Sequence, residues 1–168
     1  MTRPERTSRR RVLASVGAGI AAVAGCLDDG GFGGEPTYED GSVGEVNASN
    51  ATNRSETEMA AAEAVAQREP NTSVTPLDPL SLVDHRFVVE DGYLGSTVQG
   101  TVENTGSDRI EIVEVRVRVY DETGSQLGRY LASTGDLDGG SSWAFQVVVL
   151  KPPGDIADYD IAVLGTPT

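Results

Sequence analysis

From residue 81 onward apolar and polar residues alternate, most plainly where Val113, Val115, Val117 and Val119 are separated by Glu114, Arg116 and Arg118. A period of two places such a set on one face of an extended strand, whereas a helix would scatter it around its circumference. β-Branched side chains favour the same conformation. Val83, Phe87 and Val89 share a face of a first strand, and Val98, Gly100 and Val102 a face of the next. Trp143, Phe145, Val147 and Val149 line a later strand, and Tyr159, Ile161 and Val163 a last one. Gln126 to Ser133 adds another, so six or seven strands are expected in residues 81–168. Asn104-Thr105-Gly106, Asp121-Glu122-Thr123-Gly124 and Asp138-Gly139-Gly140 are turn sequences between them. Short alternating strands with turns at intervals predict an all-β sandwich. Ile110 and Ile112 are out of phase with Val113 onward, which predicts a bulge, or the strand moving between sheets, near Ile112 and Val113.

Upstream the pattern stops. Residues 26–80 are rich in Gly, Ser, Thr, Asn, Asp, Glu and Pro, and a stretch so poor in large apolar residues is expected to be a disordered tether. Ser55 with Glu58 forms a capping box before Met59 to Ala66, and Pro70 closes the segment, which predicts a short, marginal helix. Asn47-Ala48-Ser49, Asn50-Ala51-Thr52, Asn53-Arg54-Ser55 and Asn71-Thr72-Ser73 are glycosylation sequons, so Asn47, Asn50, Asn53 and Asn71 are candidate acceptors in an exported glycoprotein.

The N-terminus carries an address. Ser8-Arg9-Arg10-Arg11-Val12-Leu13 resembles the twin-arginine export motif, with Arg9 and Arg10 as the pair. Val12 to Ala24 is uncharged but shorter than the roughly 20 residues of a membrane span. Val23-Ala24-Gly25-Cys26 resembles the lipobox of prolipoproteins, whose cysteine thiol accepts a lipid. Residues 1–25 are therefore expected to be a signal peptide, with Cys26 the lipidated first residue of a protein anchored at the extracellular face of the cell membrane. Two acyl chains supply the paired signals that stable anchoring requires.

Charge narrows the partners. The chain has 13 basic and 26 acidic residues; five arginines and one glutamate lie before Cys26, so the mature chain carries a net charge of −17, with Lys151 its lone lysine. This balance resembles the proteins of extreme halophiles. Molar salt shortens the screening length to about 3 Å and removes most of the self-repulsion. A nucleic-acid partner is disfavoured, because phosphate binding needs clustered Lys and Arg. A single cysteine excludes an internal disulfide.

Gly100-Thr101-Val102-Glu103-Asn104-Thr105, Val115 to Asp121, Gly124, and Leu137 to Gly140 leading to Phe145 together resemble the FxLYD domain of archaeal and bacterial surface proteins. Val117 and Val119 stand where that motif has Phe and Leu, while Tyr120 and Asp121 match it. The resemblance implies an immunoglobulin-like sandwich without catalytic residues. Tyr120 and Asp121 are then structural, the aspartate capping the turn into Gly124.

Little else in the sequence suggests chemistry. His85 is the only histidine and falls in phase with Val83, Phe87 and Val89, where a hydrogen-bonded, half-buried role is expected. Asp155, Asp158 and Asp160, or Asp136 and Asp138, offer oxygen ligands but follow no EF-hand spacing. No catalytic residue, metal or cofactor is therefore assigned. Three functions are compatible: a non-enzymatic interaction module that binds an envelope protein through a sheet edge or loops, a ligand- or ion-binding surface lipoprotein, and a small hydrolase. The first is the expected one.

Overall fold

The computed structural model describes residues 34–44 and 53–166. In chain order the elements are β1 (Glu39–Ser42), α1 (Glu56–Val65), β2 (Leu80–Val89), β3 (Ser96–Asn104), β4 (Ile110–Tyr120), β5 (Gln126–Leu137), β6 (Ser142–Val148) and β7 (Asp158–Gly165), with a 3-10 turn at Pro153–Asp155 before β7. Two antiparallel sheets form, of order β1-β7-β4-β5 and β2-β3-β6. The fold is thus the expected all-β sandwich, with seven strands.

The β4 valines account for the stacking. Val113, Val115, Val117 and Val119 are fully buried and share one cluster with Val98 and Val102 of β3, Phe145 and Val147 of β6, and Tyr159 and Ile161 of β7. Full burial of each valine contributes about 1.5–3 kcal/mol relative to exposure. Gly100 lies opposite Phe145 in the β3–β6 ladder. A Cβ there would come within 2.1 Å of the Asp84 carbonyl oxygen and 2.7 Å of the Phe145 ring, so only glycine fits. Asn104, fully buried, locks the turn after β3: its Nδ2 donates to the carbonyls of Asp108 (2.8 Å) and Leu137 (3.0 Å), and its Oδ1 accepts from Gly106 N–H (3.1 Å). Asp121 caps its turn as expected, with Oδ1 accepting from the N–H groups of Thr123 and Ser125.

Three expectations need correction. Neither a bulge nor a move between sheets occurs at Ile112 and Val113: β4 stays in one sheet, keeps one register with β5 from Ile110 to Val119 and shifts only between Val119 and Tyr120. Ile110 and Ile112 have the phase of Glu114 and Arg116, and Ile110 is buried because Leu77 and Leu80 converge on it beside Gly165. Both faces of β4 are covered, and this had the look of a phase break. Secondly, Val83 does not face the core. It is 55% exposed at a register shift between Leu82 and Asp84, and Leu80 and Leu82 pack inward instead.

Thirdly, the described part of the supposed disordered tether is folded onto the sandwich, so the folded unit begins well before residue 81. β1 pairs with β7 from Glu39↔Ile161 to Ser42↔Asp158. Gln67 bridges to Leu131 on β5, and Thr75 exchanges backbone hydrogen bonds with Gly165. The expected helix is present as α1, with both hydrogen bonds of the Ser55–Glu58 capping box formed. Long-range hydrogen bonds do here what apolar burial does elsewhere, which a composition argument does not register.

Candidate interaction surface

The two outer faces of the sandwich differ in kind. On the four-stranded sheet, Glu114 is only 1% exposed; its carboxylate accepts from Arg116 Nε (2.5 Å) and from the Asn71 backbone N–H (2.9 Å). Arg116 Nη2 donates in turn to the Asn71 carbonyl (2.9 Å). One rung along, Arg118 donates to Asp160 through Nε (2.8 Å) and Nη2, and Tyr120 Oη donates to the same carboxylate (3.0 Å). The Tyr38 ring lies 3.6 Å from the Arg118 guanidinium carbon. The hydrogen bond to Asp160 raises the Arg118 pKa, and burial raises that of Tyr120. These charges are used to hold residues 34–44 and 67–75 against the sheet. A buried carboxylate without such partners would cost several kcal/mol.

At one end of the sandwich Arg54 acts as a latch. Its Nε donates to the Tyr93 carbonyl (2.8 Å), and its Nη2 to the carbonyls of Leu94 and of Val149 (2.9 Å). Beside it lies a cleft of about 300 Å³ lined by Glu58, Met59, Glu90, Asp91, Lys151 and neighbouring residues. Burial lowers the Arg54 pKa.

The outer face of β2-β3-β6 is different. At one end of the β3–β6 ladder Asn104 N–H donates to the Ser141 carbonyl, and at the other Val149 N–H donates to the Ser96 carbonyl. The register between them is unbroken from Glu103↔Ser142 to Thr97↔Val148. Odd-numbered residues of β6 therefore turn their backbone groups to β3, and Ser142, Ala144, Gln146 and Val148 turn theirs to the free edge. The side chains of Ser142, Ala144 and Gln146 are exposed. Among the described residues no strand pairs with this edge.

Other edges carry protection. β2 has its shift at Leu82–Asp84 and exposed charges at Asp84 and Arg86, β1 is four residues long, and β5 is engaged by Gln67. Such features keep an edge from recruiting another strand. β6 has none of them. No Asp, Glu, Lys, Arg or His occurs in residues 139–150, nor in residues 92–102, which supply β3 beside it. On a strongly acidic protein Thr101 with Ser142, Ala144 and Gln146 make a short uncharged stretch, flanked by Glu103 opposite Ser142 and by Glu90, whose carboxylate accepts from Gln99 Nε2 (2.6 Å).

The residues singled out from sequence fall elsewhere. Arg9, Arg10, Cys26, Asn47 and Asn50 lie outside the described residues. Asn53 is exposed beside the Arg54 latch; Asn71 is half-buried, its Oδ1 accepting from Ser73 N–H (2.8 Å). His85 is half-buried with Nδ1 2.8 Å from Tyr159 Oη. Asp160 is paired with Arg118, and Asp136 with Arg109. Among the described residues no three His, Cys, Asp or Glu side chains converge as a metal site. The β6 edge was missed, although the two charge-free runs were a readable signal for it.

Comparison with known proteins gives relatives without an assigned activity. No family model matches the chain. An uncharacterised protein of Methanocaldococcus jannaschii is 27% identical over 156 residues, covering 90% of each chain, so the likeness extends well upstream of residue 81. A solved structure of a DUF1425 family member from a Shewanella species aligns with a TM-score of 0.37 and 16% identity, over 57% of this chain and 84% of that one.

Proposed function

We propose that this chain is an exported, lipid-anchored cell-surface protein whose β-sandwich is a non-enzymatic interaction module, docking an extended segment of an envelope protein along the β6 edge. The unpaired, uncharged β6 edge is the observation that carries the docking part of this reading. Strand addition takes its affinity from main-chain hydrogen bonds, which β6 offers at Ser142, Ala144 and Gln146. The export part rests on Arg9, Arg10 and the lipobox ending at Cys26, and the resemblance to the FxLYD domain agrees with display at a surface. A ligand-binding lipoprotein is the second reading, favoured by the cleft beside Arg54.

The anchor is tested by fractionating cells that express the chain or its Cys26→Ser variant. The unaltered chain is expected in the membrane fraction and open to protease added outside intact cells, and the variant is expected to lose the lipid and the processed N-terminus. Equal solubility and one shared N-terminus upstream of residue 26 in both would overturn it.

A further inference from the structure

We infer that the segment docking on β6 is the β6 edge of a second copy of this chain, giving a two-fold dimer with a continuous six-stranded sheet. The inference rests on the surface-module reading and names its partner. Antiparallel pairing of two identical edges is self-complementary under two-fold symmetry. The open run Ser142 to Gln146 has its free-edge groups on alternate residues, so Ala144 sits opposite Ala144 of the second copy, and Ser142 opposite its Gln146. Each such pair exchanges two backbone bonds, about six in all.

Charge selects this edge for self-pairing. Two molecules each with 26 acidic against 13 basic residues repel wherever their acidic surfaces meet, and the β6 edge, with no charged residue from 139 to 150, is where two backbones can meet without placing carboxylates directly opposite one another. Side-chain volume agrees with it, because alanine and serine at the centre let the backbones close while Gln146 supplies an amide at either end. Anchoring in one membrane confines the copies to two dimensions and raises the effective concentration for a short ladder.

The test uses the full chain in its own membrane. Two differently tagged copies are co-expressed, membranes are solubilised in detergent at the salt of growth, and one tag is isolated while the other is quantified. Co-isolation is expected for the unaltered pair. Ala144→Glu in both copies puts like charges face to face and should reduce recovery roughly tenfold or more, while Ala144→Glu paired with Ala144→Lys should restore it. Ala64→Glu, an equal charge change on the exposed side of α1, should leave recovery unchanged. Trp143 fluorescence confirms that each variant is folded. No co-isolation of the unaltered copies, or equal recovery with Ala144→Glu, would overturn self-pairing. If the unaltered copies fail to pair but Ala144→Glu releases a different membrane protein, the second-copy assignment falls and the β6 docking reading stands.

Discussion

Tyr159 shows how one side chain ties the two sheets together. It lies on β7 with its hydroxyl 2.8 Å from His85 Nδ1 on β2, and its ring packs so closely on Gly41 of β1 that a Cβ at that position would fall 2.3 Å from it. Burial pushes the phenol from 10.0 up to about 12. Below pH 10 the group is neutral whether the chain is folded or not and adds no pH dependence. Between pH 10 and about 12 the unfolded chain releases the proton while the folded one keeps it, so stability falls as pH rises through that window. Thermal unfolding followed by Trp143 fluorescence should therefore show a decline in Tm above pH 10 that Tyr159→Phe lessens. At this scale the sequence was legible wherever the partner is local. The Ser55–Glu58 box and the Asp121 turn each close within four residues. The contact of Glu114 with Asn71 was not legible, because the two lie 43 residues apart. Val83 was misplaced for a related reason, since its face depends on the register shift that β2 makes against β3.

Among the elements, the strands could be read because alternation records burial directly, and α1 because its capping box is local, whereas the docking of the strap of residues 53–79 on the sandwich could not. It contributes a helix whose buried side is Ala62, isolated bridges at Gln67 and Thr75, and the Arg54 latch. None of these leaves a hydrophobic period. Arg54→Ala removes the hydrogen bonds to three backbone carbonyls, and a bond from a charged donor is worth about 1.5–3 kcal/mol against leaving it unmade. The variant should release α1 from its end of the sandwich. Limited proteolysis should then cut within residues 53–66 at least several-fold faster than in the unaltered chain, while β2 to β7 stay resistant. Cleavage of the unaltered chain throughout residues 53–79 at the rate of an unfolded peptide would mean that the strap is a free tether after all.

On the scale of the whole molecule, the charges fall into two populations. A few, at Glu114, Arg116, Arg118 and Asp160, are paired on the strap side, and the buried members of these pairs are little screened by salt. The remaining acids largely face solvent, where salt removes their repulsion. Both populations avoid the free edge of β6 from Ser142 to Gln146, which Glu103 and Glu90 only flank. That asymmetry is present in the sequence as two charge-free runs, but it became a surface only once the fold set the runs side by side. The docking edge can be tested directly by amide hydrogen exchange on the full chain, first in native membranes at growth salt and then after purification and dilution. The amides of Ala144 and Gln146 are predicted to exchange slowly in the membrane and rapidly in the dilute protein, with the buried Val98 and Val117 protected in both. Equally rapid exchange of Ala144 and Gln146 in both states would contradict an occupied β6 edge.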